Sequence, residues 1–175
     1  MDQHKKGTEK VFFLVQAGAI AALYTVLTVF VSAFNLASGA IQVRLSEALC
    51  ILPCFTLSAV PGLAIGCFLA NLFTGAAVWD VIFGTLATLI GSIFTYLLKK
   101  HKFLSTLPPV IANAVIIPFV LCYAYGLDGV WVVNGVDLTL VFYAFTVGLG
   151  EVISVCIFGS ILRKALETHA GRLFK

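Results

Sequence analysis

The sequence predicts an all-α integral membrane protein, a bundle of six transmembrane helices with both termini in the cytoplasm. Three observations lead there. The first is composition: of 175 residues, 61% are hydrophobic and 11% charged, and the mean hydropathy is +1.06. A soluble domain carries about 25% charged and about 45–50% apolar residues, so the chain falls in the membrane class. The second is a series of apolar runs near spanning length. The third is the grouping of basic residues between those runs.

The first run covers 11–34 and follows Lys5, Lys6 and Lys10. It is longer than the roughly 7–15 residues of a signal-peptide core, so it reads as an uncleaved span. Runs 44–57 and 60–78 come next, separated near Ser58 and Pro61. Run 81–98 is the fourth, 107–127 the fifth, entered through "LPP", and 138–162 the sixth. A spanning helix needs about 20 apolar residues. The second run is short and holds Arg44 and Glu47, so it is tilted, lies partly outside the hydrocarbon, or begins as a loop. Pro53 and Pro118 fall inside runs and are expected to kink them. Residues 1–10 then form a cytoplasmic arm, 11–163 one membrane domain and 164–175 a cytoplasmic tail.

Ten of the eleven Lys and Arg fall in three groups: Lys5, Lys6 and Lys10; Lys99, Lys100 and Lys102; Arg163, Lys164, Arg172 and Lys175. The positive-inside rule places all three in the cytoplasm. Each interval must then contain an even number of crossings. Four runs lie in the first interval and two in the second, which is self-consistent. Arg44 is the exception, near the outer face after the first crossing.

Polar groups in lipid are costly and usually face a bundle interior or a cavity. Arg44 and Glu47 open the second run. Asn71 lies in the outer half of the third, and Asp80, beside Trp79, opens the fourth. Asn113 lies toward the middle of the fifth. Glu151 lies near the middle of the sixth, with Tyr143 two turns above it. Asp128, Trp131, Asn134 and Asp137 occupy the last outer loop. The acidic groups therefore run from mid-membrane to the outer surface, which points to a pocket open to the outside. Other roles stand beside this one. Arg44 and Glu47 are spaced for a local ion pair, Asp80 for a helix N-cap, and Asn71 and Asn113 for hydrogen bonds between helices. Glu151 has no cation within a helical turn.

Small residues repeat at i,i+4 in "QAGAIAAL" (Ala17/Ala21 and Gly18/Ala22) and at Gly62/Gly66/Ala70. Such faces let helices approach closely, inside this bundle or against another membrane subunit. No cofactor or metal is expected. The five cysteines lie in apolar runs without a CxxC pair, and His4, His101 and His169 lie in polar segments. There is no nucleotide-binding GxxxxGK[ST] loop, HExxH or GxSxG motif, so the chain is read as no enzyme. A net charge of +3 without a basic stripe argues against nucleic acid.

The stretches "IQVRLSEALCILPCF", "VPGLAIGCFLANLFTG", "WDVIFGTLATLIGSIFTYLL", "LPPVIANA" and "VGLGEVI", in that order over most of 41–153, carry a family resemblance. The chain resembles the substrate-binding S component of an energy-coupling-factor (ECF) transporter, and more narrowly the QueT family, S components for queuosine precursors. The resemblance implies a prokaryotic plasma-membrane protein that binds its ligand near the outer face. It also implies docking on a transmembrane T subunit driven by two cytoplasmic ATPases, with Ala17 and Ala21 meeting the T subunit. A 7-deazaguanine ligand presents two adjacent donors that one carboxylate can accept, and its aminomethyl arm is cationic. Glu47 and Glu151 are the candidates for these two tasks, with neither assigned. Asn71, Asn113 or Asp80 would meet the remaining edge, and Arg44 the carbonyl side or Glu47. Trp79, Tyr143, Phe55 or Trp131 would stack on the ring. An S component for a vitamin or another purine-like ligand, and a stand-alone permease, are the alternatives.

Overall fold

The computed structural model describes residues 2–33 and 43–168. Phe34, at the end of the first expected span, and Arg172 and Lys175 lie outside them. Helix α1 runs Asp2–Ala33 without a break, so residues 2–10 of the expected arm continue the first helix. A 3-10 helix follows at Leu45–Cys54, then α2 at Ala59–Phe73 and α3 at Val78–Leu97. Helix α4, Leu107–Phe119, passes into a π turn at Val120–Ala124. A hairpin of β1 (Val132–Val133) and β2 (Val136–Asp137) leads to α5, Thr139–Glu151. That helix continues as a π stretch, Val152–Phe158, and ends as α6, Gly159–Glu167.

Six helical segments thus appear in the expected order. Four are long and apolar enough to cross a membrane: 7–33, 78–97, 104–124 and 139–167. The 3-10 helix and α2 are shorter. They run as a there-and-back pair. At one end Thr28 Oγ1 donates to Ser46 Oγ at 2.8 Å; at the other, Ser58 Oγ donates to Gln16 Oε1 at 3.0 Å. Because the pair returns to the end it left, an even number of crossings results with or without it. The basic groups are therefore satisfied by four or by six spans.

The short second segment is a 3-10 helix throughout, and it is buried from Ser46 to Pro53. Runs beyond 3–4 residues of this kind are uncommon, but the rise of about 2.0 Å per residue carries ten residues about 20 Å, against about 15 Å for an α-helix. Pro53 sits at its end and Phe55 closes it, the Phe55 N–H bonding Leu52 O at 2.8 Å. Pro118 likewise precedes an irregularity: the Tyr125 N–H reaches Val120 O at 3.3 Å, a π-type bond.

Close backbone approach holds α1 on α2. Gly62, Leu63, Gly66, Cys67, Ala70 and Asn71 form the buried face of α2, the spacing of one helical stripe. A Cβ at Gly62 would lie 2.8 Å from Ala17 O; at Gly66 it would lie 2.8 Å from Tyr24 Cβ and 2.9 Å from Ala21 O. Ala17 and Ala21 are both buried, and α2 covers them. Gly18 and Ala22 are the exposed small pair of α1, with nothing near a Cβ at Gly18.

Gly91 plays a similar part between α3 and α4, where its Cβ would lie 2.8 Å from Pro109 Cα. Pro109 sits in the first turn of α4, where its missing N–H is no loss. At the same end, Glu167 pairs with Lys102 (2.8 Å) and Arg163 (3.2 Å), and Arg163 donates to Lys102 O and Ser105 Oγ, both at 3.0 Å. The second basic group and the start of the third therefore lie together. At the opposite end the hairpin turns on Asn134 (φ 51°) and Gly135 (φ 79°), the left-handed pair that Asn-Gly favours in a tight hairpin turn. Asp137 then accepts the Thr139 N–H at 2.8 Å and the Gly129 N–H at 3.1 Å, tying the hairpin to the start of α5.

Candidate functional site

Four chain segments meet at the hairpin end of the bundle: the last turns of α1, the start of the 3-10 helix, the end of α2 and the start of α3. They enclose a cavity of about 100 Å³ lined by Thr28, Arg44, Ser46, Asn71, Thr74 and Asp80, among others. Arg44, Asn71 and Asp80 are thus brought together at one cavity. Asn71 Nδ2 donates to the backbone carbonyl of Asp80 at 3.2 Å. A Cβ at Gly84 would stand 3.2 Å from that nitrogen, so the glycine leaves Asn71 its place. Asp80 is not the N-cap of α3; Ala77 is, without a side-chain cap bond. The Asp80 carboxylate instead accepts the Tyr125 hydroxyl, and lies in the first helical turn where negative charge is favoured.

Next along the chain from the cavity-lining Ser46, Glu47 belongs to a buried polar cluster with Glu151 and Asn113, none of which lines the cavity. Glu47 is 1% exposed. Its Oε1 accepts the Tyr24 hydroxyl, and its Oε2 accepts the Cys50 thiol at 3.0 Å. Among the described residues Arg44 and Glu47 make no ion pair; the ion pairs there are those of Glu167 with Lys102 and Arg163. Arg44 enters the helix in an extended conformation, and its carbonyl accepts the Glu47 N–H at 3.0 Å. Glu151 is 6% exposed and ends the regular part of α5, immediately before the π stretch. Such bulges recur at functional sites. Asn113 on α4, 3% exposed, stands beside Glu151, and both Glu47 and Arg44 are close enough to act on the Glu151 charge. Among the described residues, Asn113 Nδ2 and Glu151 Oε2 are buried without a hydrogen-bond partner.

The aromatic candidates are placed differently. Trp79 is 51% exposed and stacks on Phe83, ring centres 6.0 Å apart. It lines an apolar groove of about 550 Å³ with Phe83, Val115, Phe119 and Tyr123, not the polar cavity that Asp80 lines. Phe55 closes the far end of the 3-10 helix, next to the turn that bonds Gln16. Tyr143 is half-buried and meets Phe142 edge-on at 5.7 Å; Trp131 meets the same ring at 6.3 Å. Neither lines the polar cavity.

Sequence reasoning passed over Tyr24, Cys50 and Tyr125. Tyr24 is the tyrosine of the first apolar run, and a hydroxyl in lipid is a polar group in need of a partner. Counting hydroxyls with the carboxylates and amides would have flagged it.

The sequence model of the family described as QueT transporter matches residues 14–168. The chain belongs to the QueT transporter family. Neither the curated proteins nor the solved structures give a match. The family match covers α1 from Leu14 and every later element to the end of α6. This QueT chain is therefore a multi-pass membrane transport protein, and both the polar cavity and the buried carboxylates Glu47 and Glu151 lie within the matched region.

Proposed function

We propose that this QueT chain is the substrate-binding S component of an ECF-type importer, and that it captures a queuosine precursor of the 7-deazaguanine type at the outer face of a prokaryotic plasma membrane. One observation carries the reading: Glu47 and Glu151, from separate helices, are buried close enough to influence each other in an otherwise apolar bundle, and Arg44, which lines the polar cavity, also acts on Glu151. Two buried carboxylates suit a ligand with a donor-rich ring edge and a cationic aminomethyl arm. In this reading the 3-10 helix and α2 also cross the membrane, giving six spans with both termini inside. A T subunit and two ATPases supply the driving force.

The test is ligand binding by the purified chain, with aminomethyl, nitrile and queuine forms compared. Saturable, selective binding is expected, and Glu151→Gln should weaken it by about 1.5–3 kcal/mol, the worth of a hydrogen bond to a charged group. Absence of binding to all three forms would overturn the proposal. Uptake by cells lacking the T subunit and ATPases would instead mark a stand-alone permease.

The docking face proposed for the T subunit moves to Gly18 and Ala22, which remain exposed. Gly18→Leu is expected to leave ligand binding intact while reducing ATP-driven uptake. Uptake at the wild-type rate would place the contact elsewhere.

A further inference from the structure

We propose that Glu151 and Asn113 together read the ligand's ring edge, the carboxylate accepting two adjacent N–H groups and the amide donating to the neighbouring carbonyl, while Glu47 acts as a positioning residue that does not touch the ligand. The assignment rests on the 7-deazaguanine reading above and makes it specific.

The argument begins with what is unpaired. Most buried polar side-chain atoms in proteins have a hydrogen-bond partner, because an unpaired one bears its full desolvation cost. Asn113 Nδ2 and Glu151 Oε2 are both buried without one among the described residues. They sit side by side because α4 and α5 approach closely one turn away: a Cβ at Gly148 would meet Ala114 Cβ at 3.4 Å. A donor and an acceptor left open beside each other, on separate helices, call for a third group offering an acceptor and a donor in matching order. A cyclic amide does so, with its C=O beside its N–H. A 2-amino group adjoining that N–H adds a second donor, and a carboxylate has a second oxygen to accept it. The sequence amide N–H, carboxylate O, carboxylate O is the complement of the guanine-type edge.

Glu47 is in a different condition. Each of its oxygens already accepts one bond, from Tyr24 and from Cys50, and the residue is 1% exposed. Its carboxylate is thereby partnered within the protein, whereas Glu151 Oε2 is not. Its contribution is its charge, held in place near Arg44 and Glu151, which favours the cationic arm.

The experiment uses the full chain and three ligands: 7-aminomethyl-7-deazaguanine, the same molecule without its 2-amino group, and the same molecule with sulfur in place of its 6-oxygen, which keeps the ring N–H and weakens only the acceptor. Wild-type protein is expected to lose about 10–100-fold in affinity with the first change and about 10-fold with the second. In Glu151→Gln the penalty for the missing 2-amino group should shrink toward none. In Asn113→Leu the penalty for the sulfur should do the same. Glu47→Gln should weaken all three ligands by a common factor and keep both penalties. Equal binding of the three ligands by the wild-type chain overturns the assignment without any variant. So does a Glu47→Gln variant that erases the 2-amino penalty. If the full ligand binds tightly and neither Glu151→Gln nor Asn113→Leu alters a penalty, the assignment falls and the transport reading stands. If no 7-deazaguanine binds, both fall together.

Discussion

Gly66→Val is expected to destabilise the folded chain by about 3 kcal/mol, the upper end of the cost of overpacking a close-packed interior. The first added atom already overlaps three groups: Tyr24 Cβ at 2.8 Å, Ala21 O at 2.9 Å and Ala21 Cα at 3.1 Å. Two of these belong to the α1 backbone, so no side-chain rotation relieves the overlap. The helices must separate, and Gly62, one turn away, then loses its own contacts with Ala17 and Ile20. In a bilayer no hydrophobic drive returns them, because lipid tails are as apolar as the side chains they replace. Separation also moves Tyr24, which holds Glu47, so ligand affinity should fall with stability. Thermal unfolding in detergent measures the effect, and Gly18→Val, with no atom within 4 Å of its new Cβ, is the matched control. Equal melting of the two variants would show that α1 and α2 are not held by this contact.

The contrast between those two glycines also marks where sequence reasoning stops. Periodicity shows that α1 has two small-residue faces, 17/21 and 18/22, set about 100° apart on a 3.6-residue helix. It does not show which one a neighbour inside the bundle covers. The six apolar runs were legible because lipid imposes a length and a polarity on each. The second run was legible as irregular, being short and charged, but its 3-10 form depends on burial from all sides, which one segment does not encode. The Asn134–Gly135 turn was legible in principle as a hairpin signal. In the site, Arg44, Asn71 and Asp80 could be grouped by depth, and they do share a cavity. Trp79 could not be oriented that way. It is the neighbour of Asp80 in sequence, yet adjacent helical residues point about 100° apart, and its ring faces the apolar groove. The Tyr24–Glu47 bond links positions 23 residues apart, so only the folded chain reveals it.

That bond yields a prediction in which stability and function separate. Tyr24→Phe removes one hydroxyl and leaves Glu47 Oε1 without its partner in the core. The expected cost is about 1–3 kcal/mol for a buried group left unsatisfied. Hydrogen bonds between membrane helices average nearer 0.6 kcal/mol, but a carboxylate is harder to leave unpaired than a neutral group, so the upper part of the range applies. Glu47→Leu fails for the reverse reason, leaving the Tyr24 hydroxyl and Cys50 thiol without their acceptor. Combining the two changes removes donor and acceptor together, and a buried polar pair replaced by apolar groups of similar shape is often neutral or stabilising. The double variant should therefore melt above Tyr24→Phe and close to wild type, a coupling of about 1–2 kcal/mol between neighbouring sites. Ligand binding should not recover with it, because the charge that Glu47 holds near Arg44 and Glu151 is gone. Melting curves and binding isotherms on the four proteins decide the matter. A double variant as unstable as the sum of its parts would deny the pairing. One that binds ligand as tightly as wild type would show that Glu47 serves the fold alone.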